Sequence, residues 1–412
     1  MQTAPPYALP TSSPLFCNWN WAMALDFQQV YKKIKEIGAE ARQRQRRLDG
    51  LREHAARLLA DWADKGDELR LKLERACQQD PKLRCAIPLD EPLGSAFDPR
   101  PAPEKLTLLA ADGSQINPDR HAAVLYSLVN VGAIGIQTGS GNSPAVFTST
   151  DLLYGDELFT ETGFLNEDLI ALDRDLAERK KLLELAPKFP APVLALTDGP
   201  VELWGAEGAA QDAYWASLEK HLSILSQLRA HGVTLAGYVE KPAADLVVRL
   251  LEIAPLTNEQ MKDLRTHHPL RGVTDLWLFG SRLAVGQRSA VFGLQSGSRL
   301  RYTGNLALHF FYLNVGDEKH PWLARIEIPK WVADDEEKLN LLHAALLEQC
   351  RTMGARPYPY ILHRAHEIAV VKLGEKAQVE QMLQIELSRA GGEVGKGSNK
   401  QSAKELPGKK RR

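Results

Sequence analysis

Apolar residues in this chain follow two rhythms. From Ala24 to about Glu74 they recur at helical spacing among many charges: Leu25, Val30, Ile34, Ile37, Leu48, Leu51, Leu58, Leu59 and Trp62. That pattern predicts a long amphipathic helical arm. From Leu106 the apolar residues run together instead. Leu106-Thr107-Leu108-Leu109-Ala110-Ala111 ends in Asp112-Gly113-Ser114, and Val193-Leu194-Ala195-Leu196-Thr197 ends in Asp198-Gly199-Pro200. Each reads as a buried strand that delivers one acid into a turn at its carboxyl end. Asp-Gly is also a common turn dipeptide with no chemistry attached, so position alone does not make either acid functional.

Between and beyond these runs the pattern alternates element types. Ala122–Gln137 predicts one or two strands, followed by a Gly/Ser/Asn turn at 138–144, and so an antiparallel neighbour for the first strand. Asn166–Leu185 predicts a helix with acids at Asp173, Asp175, Glu178 and Glu184. A helix over about Ala209–His231 and a strand at Val233–Val239 follow. A further helix, with Pro242 near its first turn, runs through Leu251. Strand and helix thus alternate from Val193 onward, which argues for parallel pairing in this half of the sheet. Leu306–Val315 and Leu323–Trp331 predict an antiparallel pair, and helices are expected at Asp335–Cys350, Tyr358–Leu373 and Glu375–Ala390.

Four segments result: an irregular leader (1–23), with Met23 as a candidate start; a basic helical arm and Pro-rich linker (24–103); a core (104–390); and a basic tail (391–412) whose Gly, Ser and Lys content predicts disorder. The arm's arginines, Arg42, Arg44, Arg46, Arg47 and Arg52, read as a solvated strut or as a surface for DNA phosphate or a partner subunit.

The net charge of −1 over 412 residues excludes a molecule basic all over, so any nucleic-acid contact must come from local patches. Cys17, Cys77, Cys85 and Cys350 have no zinc or disulfide spacing, which points to a reducing cytoplasm. No segment is long and apolar enough to span a bilayer. The absence of GxxxxGK[ST], HExxH and GxSxG argues against a P-loop NTPase, a zincin and a serine hydrolase.

Two strand acids at one sheet edge make a negative field that a divalent cation would neutralise. Hard cations such as Mg²⁺ and Mn²⁺ take oxygen ligands, and two of them about 3.5–4 Å apart would activate water and stabilise the leaving oxygen in phosphodiester hydrolysis. Asp112 and Asp198 fit the strand positions, Glu178 the helix position with Glu184 as competitor, and His366 a ligand or proton donor. Tyr358, about two helical turns before His366, falls on the same face of the expected helix, whereas Tyr360 and His363 do not.

Six segments occur in order: AADGSQ (110–115), LTDGPVEL (196–203), GYVEKP (237–242), GQRSAVF (286–292), RIEIPKW (325–331) and YPYILHRAHEIAVV (358–371). Together they resemble the NurA-type nucleases over roughly Lys105 to Leu373. The resemblance implies an α/β fold with a ribonuclease H-like mixed sheet flanked by helices. It also implies a Mn²⁺-dependent DNA nuclease with 5′-to-3′ exonuclease and single-strand endonuclease action. Its expected setting is a homodimer working with a hexameric HerA-type ATPase in DNA end resection and double-strand break repair. By motif it assigns metal or catalytic roles to Asp112, Glu178, Asp198, Tyr358 and His366, and makes Lys241 and Arg288 candidate DNA contacts. Ligand chemistry alone would allow Mg²⁺ in place of Mn²⁺. A non-catalytic adaptor between DNA and the ATPase, and a phosphatase for small esters, are the competing readings.

Overall fold

The structure is a computed structural model that describes residues 25–160, 163–205, 211–392 and 395. The expected leader, the Met23 start and the Lys409–Arg412 end lie outside the described residues. The chain divides into two units, residues 1–50 and 51–412. In the first, the described residues from Phe27 are helical, with the apolar positions Val30, Ile34 and Ile37 exposed. Local ion pairs there join Lys33 to Glu36 and Arg44 to Glu40.

The elements in chain order begin with α1 (Phe27–Asp61), within which the division falls, then α2 (Gly66–Gln79), β1 (Cys85–Ile87) and β2 (Ala96–Phe97). β3 (Thr107–Ile116), β4 (Tyr126–Gln137) and β5 (Ala145–Tyr154) follow, then the short β6 (Phe159–Thr160) and β7 (Gly163–Phe164) and the helix α3 (Glu167–Leu185). β8 (Val193–Asp198), α4 (Gln211–Ala230), β9 (Thr234–Val239), α5 (Leu246–Ile253) and α6 (Asp275–Gly280) come next. The last part holds β10 (Arg288–Ser289), β11 (Phe292–Gln295), β12 (Leu308–Asn314), β13 (Leu323–Pro329), α7 (Lys330–Ala333), α8 (Glu336–Thr352), α9 (Tyr360–Ala369) and α10 (Leu373–Arg389).

One mixed sheet runs β1-β11-β12-β13-β9-β8-β3-β4-β5. Its ribonuclease H-like part is β5-β4-β3-β8-β9: β4 lies antiparallel between β3 and β5, and β8 and β9 run parallel to β3. β8 is buried along both faces up to Thr197, as a near-continuous apolar run requires. β12 and β13 are likewise covered on both faces, so their polar residues need internal partners. Arg325 donates to Glu327 at 2.7 Å. Asp275, fully buried at the start of α6, accepts hydrogen bonds from Val247 N (2.9 Å), Val248 N (2.8 Å) and the Tyr312 hydroxyl (2.6 Å). It thereby caps α5 from a distance and fixes α6 against β12.

Three local expectations are corrected. β3 does not stop at Asp112: Gly113 and Ser114 stay in the strand, and its pairing with β4 continues to Ile116↔Leu128. Ten consecutive partners on β4 outweigh the turn preference of Asp-Gly. The Pro-rich stretch is not only a linker, because β1 pairs with β11 and β2 with β10, extending the sheet. Pro242 lies ahead of α5, whose first residue is Leu246.

Candidate active site

Asp112 and Asp198 meet at one sheet edge because β3 and β8 are parallel and in register, the last pairs being Ala110↔Leu196 and Ala111↔Thr197. The next residue of each strand is the acid, so both carboxylates emerge on the same face. The parallel pairing ends there, and Gly199, at φ +81°, turns the chain away and donates to Tyr238 O at 2.9 Å. Gly237 makes room for that turn, since a Cβ on it would stand 2.5 Å from Gly199 O.

Two helices bring the other groups. α3 starts at the Asn166 cap and lies on β3, with Glu178 buried against the strand. A Cβ on Gly113 would stand 2.5 Å from Arg174 Cγ and 2.8 Å from Glu178 Oε1, so the glycine permits this approach. α9 crosses β4 at Gly132, the residue paired with Asp112; a Cβ there would stand 2.5 Å from Ala369 N. Ser114 Oγ (2.5 Å) and Asn130 Nδ2 (2.8 Å) both donate to Ala369 O and pin the end of that helix. One turn earlier, His366 places Nδ1 2.7 Å from Asp112 Oδ2 while most of its ring faces solvent.

The electrostatics follow from burial. Desolvation pushes the Glu178 carboxyl up to about 8, with the charges of Asp175 and Asp112 adding to the rise and Arg179 and Arg174 opposing it. Arg174 Nε stands 3.5 Å from Glu178 Oε1, and its Nη2 donates to Asp175 at 2.9 Å. Asp198 is accessible at the strand end yet walled by protein, and this desolvation raises its pKa. The Tyr358 hydroxyl bonded to it pulls the other way, and the Asp112 charge raises it further. Tyr358 precedes α9, where Pro359 is the capping residue, so it is not on the helical face the sequence suggested. It reaches Asp198 from the loop, its ring edge-on to Tyr238 at 5.5 Å.

The two candidate acids of α3 separate clearly. Glu184 is exposed and held well below the usual carboxylate range, at about 2, by hydrogen bonds from Lys181 (2.7 Å) and Lys188 (2.8 Å). Glu178 faces the strand acids. Arg288, expected as a DNA contact, is buried on β10, donates to both Glu91 oxygens (3.0 and 3.1 Å) and lies over the Phe97 ring. Its charge is spent inside the fold, so that expectation is corrected. Lys241 is exposed just past β9, with Nζ 4.8 Å from the Trp322 ring centre.

A cleft of about 460 Å³ opens beside Asp198, lined by Arg174, Asp175, Arg179, Trp204 and Arg325. Arg179 donates to Asp175 O (2.8 Å) and Pro200 O (3.1 Å), tying α3 to the loop after Asp198. Arg174 and Arg179 carried no motif. The one sequence signal for Arg174 is its position four residues before Glu178 on a helix. Among the described residues, no group of three His, Cys, Asp or Glu side chains is already gathered as a metal cage. Arg174 and His366 instead stand as the side-chain partners of Glu178 and Asp112. The donor set is nonetheless that of a hard cation, oxygen-rich with one imidazole, and the Asp112 charge raises the pKa of both Glu178 and Asp198 in a way a cation would relieve.

Comparison with solved structures gives low similarity over long stretches. The crystal structure of the NurA nuclease from Sulfolobus solfataricus aligns with a TM-score of 0.46 and 11% identity, covering 88% of this chain and 98% of that one. Endonuclease V from Ciona intestinalis, in complex with DNA, aligns with a TM-score of 0.25 and 13% identity, covering 78% and 98%. The catalytic domain of human endonuclease V aligns with a TM-score of 0.28 and 12% identity, covering 77% and 98%. No curated protein matches. The family model described as the NurA domain matches residues 106–371, which spans β3 with Asp112, α3, β8 with Asp198, and α9 with His366. The chain belongs to the NurA family.

Proposed function

We propose that this protein is a divalent-metal-dependent deoxyribonuclease, with 5′-to-3′ exonuclease and single-strand endonuclease action, that processes DNA ends in double-strand break repair. The observation that carries the reading is the convergence of Asp112 and Asp198 at one register of adjacent parallel strands, with Glu178 packed against Gly113, the residue after Asp112, and His366 bonded to Asp112.

Asp112, Glu178 and Asp198 would hold Mn²⁺ or Mg²⁺, with His366 as a further ligand or a proton donor. The bound cation supplies neutralisation of the scissile phosphate and a more acidic water. The chain's own groups do the rest. Asp112 fixes the His366 ring through Nδ1, which leaves Nε2 directed outward to give a proton to the departing oxygen. Tyr358 holds the Asp198 carboxylate in place. Arg174, at the mouth of the cleft, brings positive charge to the substrate phosphate. Since the chain has no P-loop, ATP-driven movement along DNA would come from a HerA-type hexameric ATPase, and the working form would be a homodimer. Among the described residues no helix is long and apolar enough to cross a membrane.

The competing reading is a non-catalytic adaptor, favoured by one observation: Arg174 stands 3.5 Å from Glu178 and His366 2.7 Å from Asp112, so both acids already have side-chain partners without a cation. Linear DNA incubated with Mn²⁺, with Mg²⁺ or with EDTA, with and without the ATPase, separates the two. Metal-stimulated degradation that is lost in Asp112→Ala and Asp198→Ala supports the nuclease. Retention of the ATPase by the purified protein with no cleavage under any condition supports the adaptor.

A further inference from the structure

A second concave surface lies at the same sheet edge. α6, the segment leading into β13 and the Arg52–Ala56 turn of α1 enclose an open groove of about 650 Å³. Its walls are mostly apolar and include Trp277, Trp322, Val273 and Leu323. Trp277 leaves half of its surface, 49%, exposed, although an indole is costly to leave in water. Each indole carries a cation on one face. The Arg52 guanidinium is 3.2 Å from the Trp277 ring centre and Lys241 Nζ is 4.8 Å from that of Trp322.

The position of the groove follows from strand register. Asp198 pairs with Tyr238 on β9, and Lys241 comes three residues later, about 10 Å of extended chain. β13 runs antiparallel to β9 with Arg325 opposite Val239, so Trp322, just before β13, returns to the same edge. Lys241 also adopts φ +46°, a left-handed conformation that costs energy in a residue with a side chain. Among the described residues no ion pair is recorded for it. Its ammonium is displayed over an aromatic ring at the mouth of the groove, not neutralised by a carboxylate.

An exposed indole beside a half-buried one, apolar walls and cations at the rim form a platform on which unpaired bases stack while phosphates meet positive charge. A duplex keeps its bases stacked inside and has little to offer such walls. Of the charged lining residues, Arg52 and Lys241 are cationic and Glu53 is acidic, a balance that suits a polyanion. We propose that this groove binds the single-stranded part of the nucleic acid, stacking bases on Trp277 and Trp322 next to the cleavage site. The proposal rests on the nuclease reading and adds a strand path to it.

The test uses the full chain in EDTA, so that binding is read without cleavage, and a fluorescent oligothymidylate followed by anisotropy. Trp277→Ala is expected to weaken binding about tenfold, and Trp277→Phe to keep most of the affinity. Blunt duplex binding should be unchanged in both. Lys241→Gln should reduce the salt dependence of oligothymidylate binding by about one counterion. Equal oligothymidylate affinity in wild type and Trp277→Ala, with both folded by thermal melting, overturns the proposal. So does an equal loss for duplex and single strand. If Trp277→Ala binds the oligonucleotide normally but no longer binds the ATPase, the groove is a protein-docking surface and the proposal fails. If the wild type binds oligothymidylate through Trp277 yet never cleaves DNA with Mn²⁺, the nuclease reading falls and the groove assignment stands.

Discussion

His366 Nδ1 lies 2.7 Å from Asp112 Oδ2 across 254 positions of chain. The pairing depends on α9 descending onto β4 at a glycine and being tied at its end by Ser114 and Asn130. The imidazole is mostly exposed, so replacing it removes a proton donor without opening the core. His366→Ala is expected to lower Mn²⁺-dependent cleavage of linear DNA by roughly 10²–10⁴-fold with little change in melting temperature. Single-turnover rates beside a thermal melt check this. A rate close to wild type would remove His366 from the site.

The helix that carries His366 can approach only because residue 132 has no side chain. In Gly132→Ala the new Cβ would stand 2.5 Å from Ala369 N and 2.7 Å from Ile368 C, backbone atoms that cannot yield by changing rotamer. The expected cost is about 1–3 kcal/mol together with loss of activity, as α9 is pushed off the sheet. Gly50→Ala is the control: it lies inside α1 with nothing within 4 Å of the new Cβ. That change should stabilise by about 0.5–1 kcal/mol through helix propensity. Thermal or urea denaturation distinguishes the two, and a stabilising Gly132→Ala would contradict the packing described.

Glu178 and Glu184 sit on one helix, six positions apart, and should respond oppositely. Glu184→Gln breaks only exposed contacts with Lys181 and Lys188, and cleavage should be unchanged. Glu178→Gln should lower cleavage by about a hundredfold or more, since loss of groups that merely support a metal site already costs roughly 10–100-fold. The reverse ranking would return the site to the other acid.

How much of this could be read beforehand depended on whether neighbours or the chain itself decide the local structure. The strands of Asp112 and Asp198 were legible because a buried parallel strand must be apolar throughout, and an acid at its end stands out. The continuation of β3 through Gly113 was not, because its cause is β4, together with the close approach of Arg174 and Glu178. Tyr358 was legible as a site candidate, but beside His366 and not beside Asp198. It was expected on a helix face, whereas Pro359 caps the helix and the loop carries the tyrosine to Asp198. The pairing of Arg288 with Glu91 had no local trace, since the partners come from distant segments.

His343 gives the fold an acid sensitivity. Burial presses its pKa down to about 4 from an ordinary 6.5, while one ring nitrogen contacts Gly286 O at 2.7 Å. Between those values the unfolded chain binds the proton and the folded protein does not, so stability from this group falls as pH drops from 6.5 to 4. The loss amounts to roughly 3 kcal/mol at most. Urea unfolding of wild type and His343→Leu at pH 7 and pH 5 measures it. The variant starts lower, having lost its contact with Gly286, but should decline less, and parallel declines would deny His343 this role.

Glu178 works in the opposite direction, and metal enters the comparison. Its carboxyl is pushed up to about 8 from an ordinary 4.5, chiefly by burial and then by the neighbouring Asp175 and Asp112. In metal-free protein the folded state keeps this proton over a range where the unfolded chain has lost it. Stability from this group therefore declines as pH rises from 4.5 and levels off above about 8, by an amount on the order of a few kcal/mol. Glu178→Gln, which cannot ionise, should lack the decline and be more stable than wild type in EDTA at pH 8.5. A cation held by the folded acids favours their ionised forms, so Mn²⁺ should raise the stability of the wild type most at that pH, and that of Glu178→Gln much less. Urea unfolding at pH 6.5 and 8.5, with EDTA or Mn²⁺, supplies the four conditions needed for each protein. The same pH slope in both proteins would mean that Glu178 is not the buried acid described. A normal slope with no gain from Mn²⁺ would leave the burial intact and count against the metal site.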